Sequence, residues 1–212
     1  MSQKDKINVV DDSITSSSNL TKTRQVRVWD ILVRFTHWTV TIGIIANLFV
    51  TEDGSEWHEY VGYTVVGLVV IRLLWGFIGT RYARFTHFFP TPTRLRRHIS
   101  ALSVRRVDEQ HLGHNPLAAL MIFSLWAVII GLGITGYLME TDIFSHTELL
   151  GNEELLEDIL EDIHELLANS LYFLVPLHII AAIAMSYWQR QNLIKSMITG
   201  NKTVLDEPST ME

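Results

Sequence analysis

The sequence predicts an all-α integral membrane protein, a four-helix bundle with two polar tails. The first observation behind this prediction is that apolar residues concentrate in four blocks, near 31–50, 60–79, 117–139 and 166–188. Each block is close to the roughly 20 residues that a helix needs to cross a lipid bilayer. A soluble helix would interrupt such a run with a water-facing polar stripe. The lipid bilayer is therefore the first partner that the sequence implies.

The second observation is the distribution of charge along the chain. Sixteen of the 17 Lys and Arg residues lie in the segments 4–34, 81–106 and 190–202. Loops 51–59 and 140–165 contain none, so the positive-inside rule predicts that both termini and the middle loop are cytoplasmic. These two outer loops hold 14 of the 23 acidic residues, so the formal net charge of −6 combines a basic inner face with an acidic outer face.

Three segments follow from these patterns. Residues 1–23 are polar, Ser/Thr-rich and lack the apolar core of a signal peptide, so we expect a disordered cytoplasmic tail. Residues 24–200 form the transmembrane domain, and residues 201–212 form a C-terminal tail. Within the domain, the first helix is predicted over 24–50, and the amphipathic segment 153–165 continues into the fourth helix.

The chain contains no cysteine. This excludes disulfides, thiolate-held iron–sulfur clusters and the covalent attachment used by c-type haem. Any haem in this protein must be bound non-covalently, through histidine or methionine.

The segment from His164 to His178, HELLANSLYFLVPLH, has a histidine at each end. Fourteen residues at helical rise separate the two imidazoles by about 21 Å along the helix axis. Fourteen steps of about 100° leave them within about 40° of the same face. One helix thus offers two ligands separated by most of a hydrocarbon layer, which predicts one axial ligand for each of two stacked haems. The alternative is one interfacial histidine and one core histidine.

Topology sorts four of the nine histidines by depth. His37 on the first helix and His178 on the fourth are predicted near the inner side, whereas His58 on the second helix and His164 lie near the outer side. Facing helices in a bundle hold b-type haem through such pairs. The sequence therefore predicts two non-covalent haems b, each with two histidine ligands and with His37, His58, His164 and His178 as the iron ligands. The alternative is a set of scattered structural histidines, and the five loop histidines are expected to be solvated or to cap helices.

Arg72 is the one Lys or Arg residue outside the three basic segments, and it lies within the second apolar block. A charge inside a spanning helix is costly and is usually paired. Arg72 follows His58 by 14 residues, so it is predicted at the depth of the inner haem, where a propionate suits a guanidinium group. The alternative is snorkelling to the inner interface.

Six stretches carry a resemblance to a known family: WDILVRFTHW, WHEYVGY, VIRLLWGFIGTRYARF, GHNPLAALM, HELLAN and RQNLIKSMITG. They resemble the bacterial b-type cytochromes, namely the cytochrome b561 group and the cytochrome b subunits of Ni,Fe-hydrogenases. The resemblance covers roughly residues 24–200. It implies a four-helix di-haem protein of the bacterial plasma (inner) membrane, with the same four histidines as ligands.

The resemblance also implies a function. Such proteins pass electrons between the quinone pool and a periplasmic partner, here a c-type cytochrome or a hydrogenase, which adds quinone as a candidate cofactor. Iron with two histidine ligands has no open position for a substrate, which favours an electron-transfer subunit over an enzyme that acts alone. The alternatives are a stand-alone quinone-linked oxidoreductase acting on a small molecule such as superoxide, and a haem-free packing subunit. Nothing in the sequence points to a nucleic-acid partner.

Overall fold

The computed structural model describes residues 23–93, 95–96, 100, 116–141 and 153–205. The helices are α1 (Ile31–Phe49), α2 (Glu56–Ile78), the short α3 (Phe85–Phe88), α4 (Pro116–Glu140), α5 (Glu153–Trp188) and α6 (Leu193–Thr199). Two strands, β1 (Thr23–Arg27) and β2 (Asn201–Leu205), complete the described elements. Most of the residues assigned to the N-terminal tail, residues 1–22, lie outside the described part of the chain.

Four of these helices, α1, α2, α4 and α5, are long and apolar enough to cross a membrane. Only 6% to 22% of the residues in their most apolar windows are buried inside the protein, so most of their apolar side chains keep part of their surface exposed. In a chain of this composition, that exposed surface is what lipid would cover. The predicted all-α membrane bundle is confirmed, as is the continuity of the amphipathic segment 153–165 with the fourth span.

The first helix begins later than the sequence predicts. Helix α1 starts at Ile31 rather than at residue 24, because Asp30 caps it: the Asp30 carboxylate accepts a hydrogen bond from the Val33 N–H at 2.9 Å. The same carboxylate accepts from Trp75 Nε1 at 2.9 Å and from the Thr80 hydroxyl at 2.6 Å, which ties the start of α1 to the end of α2. Burial raises the pKa of Asp30, but these three hydrogen bonds and the positive charge of Arg72 together hold the pKa below its ordinary value.

The residues before Asp30 form a strand instead of helix. Strand β1 pairs antiparallel with β2, so part of the segment assigned to the C-terminal tail is structured. Gly200 adopts φ 85°, and its carbonyl accepts hydrogen bonds from the N–H groups of Val28 and Trp29 at 2.8 and 3.0 Å. The strand pair therefore brings both ends of the described chain to one end of the bundle.

The spans pack in the order α1, α2, α4, α5. Close approach depends on small residues: a Cβ on Gly43 of α1 would lie 2.4 Å from Val65 of α2, and one on Gly133 of α4 would lie 2.5 Å from Val66. Among the described residues, α5 packs closely against α4 but hardly touches the backbones of α1 and α2. Helix α5 is instead linked to α1 and α2 by long side chains, and its two histidines are among them.

Candidate functional site

Two pairs of histidines bridge α5 to the first two helices. The ring centres of His37 on α1 and His178 on α5 lie 6.4 Å apart. Those of His58 on α2 and His164 on α5 lie 6.3 Å apart. The structure thus brings together the two histidine pairs that were matched by depth in the sequence. Their members on α5, His164 and His178, lie about 21 Å apart along that helix.

The spacing within each pair fits iron held between two imidazoles. Each iron–nitrogen bond would be about 2 Å long, and each nitrogen lies about 1 Å from its ring centre, so the two centres should be about 6 Å apart. Among the residues that the structure describes, no three His, Cys, Asp or Glu side chains gather as a bare metal ion would require. A haem needs only two protein ligands because its macrocycle supplies the other four.

The helix packing also suits flat macrocycles at both levels. Helices in direct contact pack 8–10 Å apart, and among the described residues the backbones of α1 and α2 make few such close approaches to α5. The ring of His164 rests against Gly136, where a Cβ would lie 3.5 Å from the ring Cε1 atom. The residues present therefore fit two haems, and ligation by these four histidines stays a prediction.

The outer pair has hydrogen-bond partners on its second ring nitrogens. His164 Nδ1 lies 2.8 Å from the Thr135 hydroxyl of α4, and His58 Nδ1 lies 3.4 Å from the Thr51 hydroxyl. The inner pair differs, because His37 Nδ1 is buried and has no hydrogen-bond partner among the described residues.

Arg72 is buried in α2, with 6% of its surface exposed. Its two terminal nitrogens lie 3.4 Å from the Ala83 carbonyl, which makes both hydrogen bonds long and weak. Its guanidinium carbon lies 5.4 Å from the ring centre of Trp126 on α4, a cation–π distance. The Ala83 carbonyl lies in the turn after the end of α2, so the guanidinium points toward the end of the span at which the snorkelling alternative places it. The predicted bond to a haem propionate stays a prediction.

Other parts of the site were missed by sequence reasoning or lie outside the structure's description. Thr51 and Thr135 were not singled out. The signal for Thr135, a hydroxyl within a mostly apolar span, is weak because Ser124 in the same span gives the same signal. His98, His111, His114 and His146 lie outside the described residues, and the side chain of His87 is likewise not described.

Four apolar spans with two facing histidine pairs define a class of protein, the multi-pass membrane cytochromes of b type. Residues 28–200 match the family described as prokaryotic cytochrome b561. The chain belongs to that family, which confirms the resemblance seen in the sequence. Family membership implies b-type haem and a general role in membrane electron transfer.

Several bacterial proteins that share one description are similar to this chain. The chain is 24% identical to a probable Ni/Fe-hydrogenase B-type cytochrome subunit of Rhodobacter capsulatus, over 86% of this chain and 83% of the relative. A protein of the same description from Bradyrhizobium diazoefficiens is also 24% identical, over 85% and 87%. A third, from Azotobacter vinelandii, is 21% identical over 88% and 92%. No solved structure gave a significant match to this chain.

Proposed function

We propose that this protein is a di-haem cytochrome b that carries electrons across the bacterial plasma membrane, between the quinone pool and a redox partner on the outer face. The observation that carries the proposal is the geometry of α5, whose two histidines each face a histidine of another helix at 6.3 and 6.4 Å. Each bound haem would supply a reversible one-electron couple. The protein holds the two couples at different depths of one bundle.

The residues of the chain have separate tasks in this proposal. His37 and His178 hold the inner iron, and His58 and His164 hold the outer iron. With two histidines on each iron, the ligands would leave no position open for a substrate, which favours electron transfer over catalysis at the haem. Helix α5 fixes the distance between the two sites, since a continuous helix sets its residues 1.5 Å apart along the axis.

The orientation is part of the same proposal. The paired strands β1 and β2 support having both chain ends on one side, and the Lys and Arg distribution favours the cytoplasm for that side. The outer pair would then lie beside the acidic loops. The names of the relatives favour a hydrogenase as the outer partner over a c-type cytochrome.

The first test is the haem content of the purified protein. We expect two haems per chain, extractable by acidic organic solvent because no cysteine is present to bind haem covalently. A pyridine haemochrome assay against the protein concentration measures the ratio. One haem or none, in protein made with ample haem supply, would contradict the proposal.

The same preparation can test whether the protein reacts with quinone and whether its turnover requires a protein partner. Reduction of the haems by a quinol analogue supports the link to quinone. Turnover with quinone and superoxide in the absence of any protein partner would instead support the stand-alone oxidoreductase. A preparation whose haems are reduced by the quinol analogue, but which shows no catalytic turnover until a protein partner is added, favours the electron-transfer subunit.

A further prediction concerns salt. The segments 51–59 and 140–165 contain 14 acidic residues and no Lys or Arg, and in the proposed orientation they would lie on the same face as the outer site. Their negative field should speed encounter with a basic partner, and the screening length is about 10 Å at 0.1 M salt. We therefore expect electron transfer to the partner to slow severalfold between low and high ionic strength. Rates in stopped-flow experiments that do not change with salt would mean that these loops contribute only to topology.

A further inference from the structure

Thr135 lies at the contact between α4 and the outer histidine of α5. It is 6% exposed, and its hydroxyl oxygen lies 2.8 Å from His164 Nδ1, 3.0 Å from the Gly131 carbonyl and 3.2 Å from the Leu132 carbonyl. A threonine hydroxyl has one proton to donate and two lone pairs that accept. The three neighbours therefore determine what the imidazole can do.

The backbone carbonyls have no proton, so they can only accept. Both accept from the Thr135 hydroxyl, and the Leu132 carbonyl also lies within reach of the His164 ring. Threonine in a helix commonly donates to the carbonyl three or four residues before it. With its proton used in this way, the hydroxyl oxygen accepts from His164 Nδ1–H. That assignment places the ring proton on Nδ1 and leaves the Nε2 lone pair available to bind iron.

The partner histidine has a similar arrangement. The Thr51 hydroxyl donates to Asn47 Oδ1 at 3.3 Å, so its oxygen can accept from His58 Nδ1 at 3.4 Å. Asn47 Nδ2 donates in turn to the His58 carbonyl at 3.0 Å. The inner pair has no counterpart at His37, whose Nδ1 is without a partner among the described residues.

We infer that Thr135 is a positioning residue for the outer haem: it fixes the tautomer and the ring orientation of His164 and lowers the midpoint potential of that haem. This inference rests on the proposed function. An acceptor on Nδ1–H gives the imidazole more negative charge and makes it a stronger ligand for iron. A stronger electron-donating ligand favours ferric iron over ferrous iron, so the potential falls.

The experiment compares three variants of the full-length holoprotein by spectroelectrochemical titration. Thr135→Val keeps the shape of the side chain and removes the hydroxyl, whereas Thr135→Ser keeps the hydroxyl. Thr36→Val is a matched control, because Thr36 is also buried and bonds to the carbonyls of Leu32 and Val33 but not to a ring nitrogen.

We expect Thr135→Val to raise the potential of the outer haem alone. A threefold to tenfold change in the ferric-to-ferrous ratio, roughly 30 to 60 mV for one electron, corresponds to the loss of one such hydrogen bond. Thr135→Ser should restore the wild-type potential, and Thr36→Val should leave the potential of the outer haem unchanged. The positioning role of the hydroxyl would be equally supported if Thr135→Val lost the outer haem and Thr135→Ser retained it.

Two results would overturn the inference. An unchanged outer potential in Thr135→Val means that the hydroxyl does not act on the ligand. Equal shifts or equal haem loss in the Val and Ser variants mean that Thr135 acts through packing. The haem content of the wild-type protein tests the proposed function separately. If the wild type binds two haems, a negative result in the variants contradicts only the role of Thr135.

Discussion

Replacing His164 or His58 with alanine should remove the same haem, the outer one, and leave the inner haem in place. The rings of these residues face each other at 6.3 Å, so each would supply one of the two axial bonds of a single iron. Loss of either bond leaves iron with one protein ligand, and we expect haem content to fall by about half. The double variant should lose little more than either single variant, because the two residues act as a unit.

The inner pair gives the complementary result. His37→Ala and His178→Ala should each remove the inner haem, since their rings lie 6.4 Å apart. Haem content and low-temperature absorption spectra of the purified variants distinguish the two components. His146→Ala serves as a control, because this loop histidine is predicted not to bind haem. If His164→Ala and His37→Ala disturbed one common component, the pairing would be wrong.

The second large effect is expected at Arg72. Replacing it with leucine removes a buried positive charge that the predicted topology places near the inner haem. A unit charge about 10 Å from the iron contributes about 1.7 kcal/mol at an effective dielectric constant of 20, which is more than a tenfold change in a redox equilibrium. Positive charge favours the reduced state, so Arg72→Leu should lower the potential of the inner haem or weaken its binding.

The matched variant for this test is Arg72→Lys. Lysine keeps the charge but lacks the planar fork that can bind a carboxylate through two hydrogen bonds. A propionate partner predicts that Arg72→Lys preserves most of the potential but binds the inner haem less tightly. Unchanged redox titrations of both haems in Arg72→Leu would rule out the propionate bond and leave snorkelling to the inner interface as the better account, with the guanidinium held by the Ala83 carbonyl, the Trp126 ring and the charge of Asp30.

The sequence alone predicted the fold class and the members of the two histidine pairs. The four spans can be recognised because a helix that faces lipid must be apolar over about 20 residues, a constraint on composition rather than on contacts. The separation of His164 and His178 follows from helical rise, because one uninterrupted helix carries both. Matching by depth then needed only the direction in which each helix crosses the membrane.

Other features depend on residues that are distant in the sequence. The strand pair joins Thr23–Arg27 to Asn201–Leu205, and neither five-residue segment has a reason to be a strand without the other. The start of α1 at Ile31 depends on Asp30, whose carboxylate is held by Trp75 and Thr80 from the far end of α2. The helical propensity of residues 24–30 was overridden by these tertiary contacts.

The sequence thus determined which helices exist, how far apart the histidines of α5 lie and that any haem must be non-covalent, since these follow from composition and from the regular geometry of a helix. Only the tertiary structure decided which hydroxyl lies against each Nδ1 of the outer histidine pair and where the Arg72 guanidinium lies. Thr135 and His164 are 29 residues apart and on different helices. Their contact depends on the rotation and spacing of α4 against α5, which close packing at glycines sets and which no local pattern encodes.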